Sequence, residues 1–316
     1  MVSTRAIKTG ARSSPGRLLR NCKKDYELIL LSIPMIVYFA IFCYWPMYGV
    51  IIAFKNFSPT KGILSSQWVG LKYFRQVFTS PYLFRLMRNT FLLGAYGIIF
   101  GFPVPIIFAL MLNEIKHKGY KRVVQTISYL PYFISTVIIC GLMYNFFSPN
   151  SGIVNTIYTS LTGEPAINFM GEPRWFRTLY IGSGIWQGMG WDSIIYLAAL
   201  SGIDMDLYDS AKVDGANRWQ CMFHITLPGI SNTMMIMLIL RVGSIMSVGF
   251  EKIILMYSPS TYEVADVVST YTYRLGILDS KYSYATAFGL INSVINVVFL
   301  CLSNMLSRKF SETSLW

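Results

Sequence analysis

Charge is what this chain of 316 residues has least of: 13% of it is Asp, Glu, Lys or Arg, about half of what a soluble globular domain carries, while 53% is hydrophobic. A soluble fold could not coat its surface with so few charges, so membrane is the first reading. Histidine is nearly missing. His117 and His224 have no metal-ligand neighbour at suitable spacing, which leaves a membrane enzyme without its usual acid and imidazole chemistry. The phosphate-cradling Gly-x-x-x-x-Gly-Lys-Ser/Thr loop is absent, so any ATP chemistry has to come from a partner. Cys22, Cys43, Cys140, Cys221 and Cys301 are odd in number and scattered, which excludes a disulfide framework or zinc site and reads as packing. Internal repeats, low-complexity tracts and a second soluble domain are also lacking.

What is present is length without charge. Leu28–Phe54, Asn89–Asn113, Val123–Phe147, Tyr282–Ser307 and, interrupted by Asp192, Thr178–Ile203 each suffice to cross a hydrocarbon core, which needs about 20 helical residues. Gly229–Phe250, with Arg241 near its middle, makes a sixth. The first run is too long for a signal-peptide core and lacks a cleavage motif, so it is expected to stay in the mature chain. Pro103, Pro105 and Pro131 predict kinked helices, with packing as their simplest role.

The net charge of +12 raises nucleic acid as a partner, but the cations sit beside the spans. Arg5, Lys8, Arg12, Arg17, Arg20, Lys23 and Lys24 precede the first span, Lys116, Lys118, Lys121 and Arg122 fill the second connection, and Arg308 and Lys309 follow the last. The positive-inside rule favours these flanks as cytoplasmic over the first connection, where Lys61, Lys72, Arg75, Arg85 and Arg88 are spread through a longer segment, and with six spans it places both termini inside. The expected fold is an all-α, multi-pass membrane protein of six transmembrane helices in the cell membrane, in contact with lipid. The divisions are a basic cytoplasmic tail over 1–24, a first helix and external loop over 25–88, a core of five helices over 89–308, and a cytoplasmic tail over 309–316. In the first loop Tyr73, Phe74, Phe78, Tyr82 and Phe84 suggest an interfacial helix.

Between the fourth and fifth spans, 204–228 reads as a cytoplasmic helix, bend and helix. Leu207, Ala211 and Val213, then Trp219, Met222, Phe223 and Ile225, give two apolar faces, separated by Gly215 and stopped by Pro228. Such faces need cover. A partner protein is one reading and lipid headgroups the other, although Asp204, Asp206, Asp209 and Asp214 outnumber Lys212 and Arg218, which disfavours lipid.

Asp209-Ser210-Ala211, then Gly215, then Ile225-Thr226-Leu227-Pro228 match at the same spacings the Glu-Ala-Ala, Gly, Ile-x-Leu-Pro pattern of ABC importer permeases. Asp replaces Glu and Ser replaces Ala, while Asp214, Ala216 and Phe223 also fit the sugar-permease form. Trp68-Val69-Gly70-Leu71, Tyr129-Leu130-Pro131, Gly249-Phe250-Glu251, 262–267, Tyr271, Tyr273, Arg274, Gly276 and 311–316 extend the resemblance to the first of two permease subunits of complex-polysaccharide and alginate oligosaccharide importers.

That resemblance implies a non-catalytic subunit that forms half of an oligosaccharide path and pairs with a second, related permease as a heterodimer. It implies an extracytoplasmic solute-binding protein and two cytoplasmic ATP-binding subunits that hold ATP and Mg, with no cofactor in this chain. The loop would be a lever in an ATPase groove: Gly215 permits the bend, Asp209 and Asp214 contact or cap, Phe223 and Ile225 anchor, and Pro228 sets the start of the fifth span. An acidic sugar is the leading substrate. The alternative, a self-contained secondary transporter or channel, would need its own coupling-ion chemistry or gate, often with repeated halves, and neither is visible.

Inside the spans, Asp192 and Arg241 lie at matching depth, about 18 Å from the loop at about 1.5 Å per residue. They either form an ion pair or each face a water-filled cavity and meet substrate. Trp186, Gln187, Trp191, Ser244, Ser247, Asn292 and Asn296 offer sugar-type contacts, and each is also explained by interfacial anchoring or interhelical bonding.

Overall fold

The computed structural model describes residues 26–310. The expected basic tail over 1–24 and the terminal motif 311–316 lie outside them. Helix α1 (Tyr26–Phe54) carries Pro34 in its first stretch, widens to i→i+5 bonding over Phe39–Tyr44 just before Pro46, and closes in a tight turn at Tyr48–Phe54. A two-residue antiparallel pair, Lys55–Asn56 with Gln67–Trp68, follows. Next come α2 (Lys72–Phe78), α3 (Leu83–Glu114), α4 (Lys118–Tyr129), α5 (Thr136–Phe146) and α6 (Ile153–Thr162). The chain continues with α7 (Pro173–Ser201), α8 (Met205–Val213), α9 (Arg218–Gly243), α10 (Phe250–Met256), α11 (Val268–Tyr273) and α12 (Tyr282–Phe310).

Four of these are long and apolar enough to cross a membrane: α1, α3, α9 and α12 over Tyr282–Met305. The segment expected as the third span is not one helix. Lys118–Phe133 and Thr136–Phe146 meet at 97°, and together they make a fifth candidate. Pro131 supplies no N–H, Leu130–Phe133 tighten into a 3-10 turn, Ile134 is extended, and the Ser135 hydroxyl caps α5 by accepting from the Ile138 N–H at 3.4 Å. Helix α7 has spanning length, 29 residues, but Gln187, Asp192 and its glycines make it more polar than the others.

The fifth expected span also differs. Its helix does not begin at Pro228, because α9 passes through that residue. The turn Met222–Thr226 bonds i→i+5, with the Leu227 N–H donating to the Met222 carbonyl, so the missing proline N–H breaks no ladder. The helix then stops at Gly243, and 244–249 is non-helical before α10.

Three apolar clusters hold the bundle. One joins α5, α7 and α10 around Ile139, Met143, Phe176 and Ile253, a second joins Ala53, Val77, Leu86 and Phe288, and a third joins Leu110, Tyr196, Leu200 and Ile230. Tyr73 and Phe74 of α2 pack on the second cluster, whereas Phe78 and Phe84 stay exposed.

Connecting segments meet one another and the N-terminal parts of α3 and α12. The Phe57 N–H donates to the Ser283 hydroxyl at 3.0 Å and the Ser260 hydroxyl donates to the Gly171 carbonyl at 2.9 Å. The Asn89 amide donates to the carbonyls of Glu263 and Asp266 at 2.8 and 3.0 Å. Buried Asp266 receives Arg274 at 2.6 and 3.1 Å, with the Arg274 guanidinium 4.8 Å from the Tyr262 ring centre. Glu114 and Arg218 border one groove, so the end of α3 and the 204–228 hairpin share one end of the bundle.

Candidate functional site

The hairpin is built from caps. The Asp204 carboxylate accepts from the Asp206 N–H at 3.0 Å and starts α8. At the other end the Ala216 N–H donates to the Ala211 carbonyl at 2.9 Å and the Gly215 N–H to the Lys212 carbonyl at 3.0 Å. That pair of bonds is a Schellman motif, and it requires the left-handed backbone that Gly215 adopts, φ 81°. Asn217 then opens α9 with a capping box: its side chain accepts from the Gln220 N–H at 2.9 Å while Gln220 accepts from the Asn217 N–H at 2.7 Å. The Tyr208 and Thr226 hydroxyls, 2.9 Å apart, tie the two helices together.

Capping therefore falls to Asp204 and Asn217 rather than to Asp209 and Asp214, because an N-cap must precede the first turn. Asp209 pairs with Lys212 at 2.8 Å in the open, which holds the Lys212 amine above its ordinary range, and Asp214 ends α8. Such an exposed pair adds little stability. Ser210 bonds back to the Asp206 carbonyl at 2.8 Å, Ala211, Ala216, Ile225 and Leu227 are half-buried, and Pro228 is exposed. Met205, Leu207, Val213, Trp219 and Phe223 are all exposed, the last two rings stacked with centres 6.4 Å apart. Their apolar surface has no cover within the described residues.

The second site is a cavity of about 310 Å³ between α3, α7 and the segment 241–252. Gly94 lets 244–249 come close, since a methyl there would meet the Ile245 carbonyl oxygen at 1.9 Å. Arg241 and Asp192 are paired across α9 and α7 at 2.5 Å and also line the cavity. The expected ion pair is present, and both of its members also border the cavity.

Of the other candidates, Gln187, Ser244 and Ser247 line this cavity, although Gln187 also donates to the Ile134 carbonyl at 3.1 Å and Ser244 to its own helix. Trp186 borders a separate apolar hollow beside α5, and Trp191 stacks on Tyr132 with ring centres 4.6 Å apart. Asn292 and Asn296 of α12 do not line the cavity. Asn292 donates to the Met246 carbonyl at 3.2 Å, and Asn296 accepts from the Met246 N–H at 3.0 Å while donating to Ser247 at 2.9 Å. They satisfy backbone that α9 leaves unpaired when it stops.

Sequence reasoning missed Lys252 and Tyr180. Lys252 is 9% exposed, lines the cavity, and donates to the Tyr180 carbonyl at 2.9 Å. A visible signal was the glycine spacing on facing helices, Gly94, Gly97 and Gly101 against Gly184 and Gly188, all of which border this space.

Residues 101–312 match the family described as binding-protein-dependent transport system inner membrane component. The chain belongs to that family. This inner membrane component is 44% identical over 294 residues to Protein LplB of Bacillus subtilis, covering 93% of this chain and 92% of LplB. It is 41% identical over 300 residues to the polygalacturonan/rhamnogalacturonan transport system permease protein YteP of the same organism, covering 95% and 93%. A solved bacterial ABC transporter involved in import of the acidic polysaccharide alginate contains a chain that superposes with a TM-score of 0.85 at 46% identity, covering 93% of this chain and 99% of that one. The resemblance to sugar-type ABC importer permeases thus holds for nearly the whole permease, and such membrane subunits are non-catalytic.

Proposed function

We propose that this permease forms half of the translocation path for an acidic oligosaccharide and is driven through the 204–228 hairpin by cytoplasmic ATPase subunits. The observation that carries the coupling role is the exposed row Met205, Leu207, Val213, Trp219 and Phe223 on a hairpin whose own ends are capped. A rigid unit with uncovered aromatic surface is an anchor for a protein groove. ATP and Mg belong to those partners, and closure of their dimer would tilt α7 and α9, which the hairpin joins.

The bent pair and polar α7 complete six spans, with both termini cytoplasmic, core residues 89–308, and placement in the cell membrane. A second, related permease would supply the other wall of the path. An extracytoplasmic solute-binding protein would deliver substrate, as in the solved alginate transporter in complex with its pentasaccharide-bound periplasmic protein. The acidic substrate rests on the names of the relatives and on a cavity whose charged lining is Asp192, Arg241 and Lys252, one acid against two bases.

Coexpression with the cognate ATPase tests the lever. Gly215→Pro and Phe223→Asp are each expected to reduce ATPase co-purification and ATP-driven uptake by at least tenfold. Normal binding and import by both variants would remove the hairpin from the coupling path.

A further inference from the structure

The cavity's two cations are not equivalent. The Arg241 guanidinium is held by Asp192 at 2.5 Å. Lys252 Nζ has no carboxylate within 4 Å among the described residues. Its contacts are the Tyr180 carbonyl at 2.9 Å and the Tyr180 ring, whose centre lies 5.0 Å away. An ammonium has three N–H donors, so two remain for another acceptor. The Tyr180 hydroxyl in turn accepts from the Gly249 N–H at 3.0 Å, which fixes the ring that positions the lysine.

Opposite Nζ stands Gly184. A methyl there would lie 3.4 Å from the ammonium, so the bare backbone of α7 leaves this charge open to the cavity. A largely buried ammonium without a counter-charge costs free energy, and a carboxylate entering the cavity recovers part of that cost. A neutral sugar hydroxyl accepts a weaker bond than a carboxylate does, because a hydrogen bond between charged groups is about twice as strong.

We propose that Lys252 is the carboxylate-recognising residue of the path, the specificity determinant that favours uronic-acid units over neutral sugar units, with Tyr180 as its positioning residue. This rests on the acidic-oligosaccharide reading above. Arg241, already neutralised by Asp192, takes no part in that choice.

The test uses the assembled transporter, with its partner permease, ATPase and binding protein, in proteoliposomes supplied with an oligouronate or its carboxyl-reduced counterpart. Lys252→Gln keeps an N–H donor and removes the charge. It is expected to raise the KM for the oligouronate, so that the acidic-to-neutral ratio of kcat/KM falls about tenfold, the scale of one charged hydrogen bond. Lys252→Arg is expected to restore most of that ratio, and Gly184→Ala, whose methyl would cover one side of the ammonium at van der Waals contact, to lower it several-fold. An unchanged ratio in Lys252→Gln, or an equal loss for both sugars, overturns the assignment. Where Lys252→Gln does not assemble, a preserved ratio in Gly184→Ala overturns it instead. Wild type that imports no oligouronate would defeat the acidic-substrate reading itself, whereas wild type that imports it with Lys252→Gln unaltered defeats Lys252 alone.

Discussion

At the scale of single residues, the ion pair of Asp192 and Arg241 shows how one contact can hold helices together and shape a path. The side chains are 35% and 42% exposed, so water screens part of their attraction, and the pair contributes less than a fully buried one would. Removing one partner leaves the other charge facing an apolar wall. Asp192→Asn and Arg241→Gln singly are therefore expected to lower uptake and thermal stability more than the two together, as a double-mutant cycle in proteoliposomes would reveal. Uptake unchanged in the double variant would exclude substrate contact by either residue. The pairing was legible because an intramembrane acid and base at equal distance from the same loop are each expensive alone. The roles of Asn292 and Asn296 were not. Sharing one face of α12 looks alike whether the acceptor is a sugar or the backbone of Met246, and only the unwinding after Gly243 put that backbone within reach.

At the scale of elements, the 204–228 hairpin is the most predictable part, since caps and turns are local. Gly215 lies four residues after Ala211 because a Schellman motif closes over that spacing, and Asn217 precedes Gln220 as a capping box demands. Asn217→Ala is expected to destabilise the hairpin by about 1 kcal/mol, so that amide exchange over 205–221 quickens about fivefold while α12 is unaffected. The expectation that Pro228 stops the helix failed for an equally local reason. The proline removes one donor, and a single i→i+5 turn over Met222–Thr226 reroutes the ladder around it. Pro131 does the reverse: followed by extended Ile134 and a fresh cap at Ser135, it yields a 97° bend that hydropathy, blind to direction, reads as one span.

For the whole molecule, the orientation expected from the charge bias is open to labelling. In a background without native cysteines, Ser65→Cys and Ser160→Cys are expected to react with an impermeant maleimide on intact cells, and Lys118→Cys and Asn217→Cys only after permeabilisation. Labelling of Asn217→Cys from outside would invert the topology and separate the hairpin from any cytoplasmic ATPase. Helix α1 has its most apolar stretch 0% buried, so the described residues of this chain give it no cover. By itself the sequence determined the membrane environment, the family and the 204–228 hairpin, because charge scarcity, motif spacing and cap spacing act over short stretches. Only the tertiary structure decided which polar groups meet. Lys252 belongs to the cavity because α9 ends early and 244–249 folds back against Gly94, bringing α10 beside Gly184, and those approaches depend on helices distant in the chain.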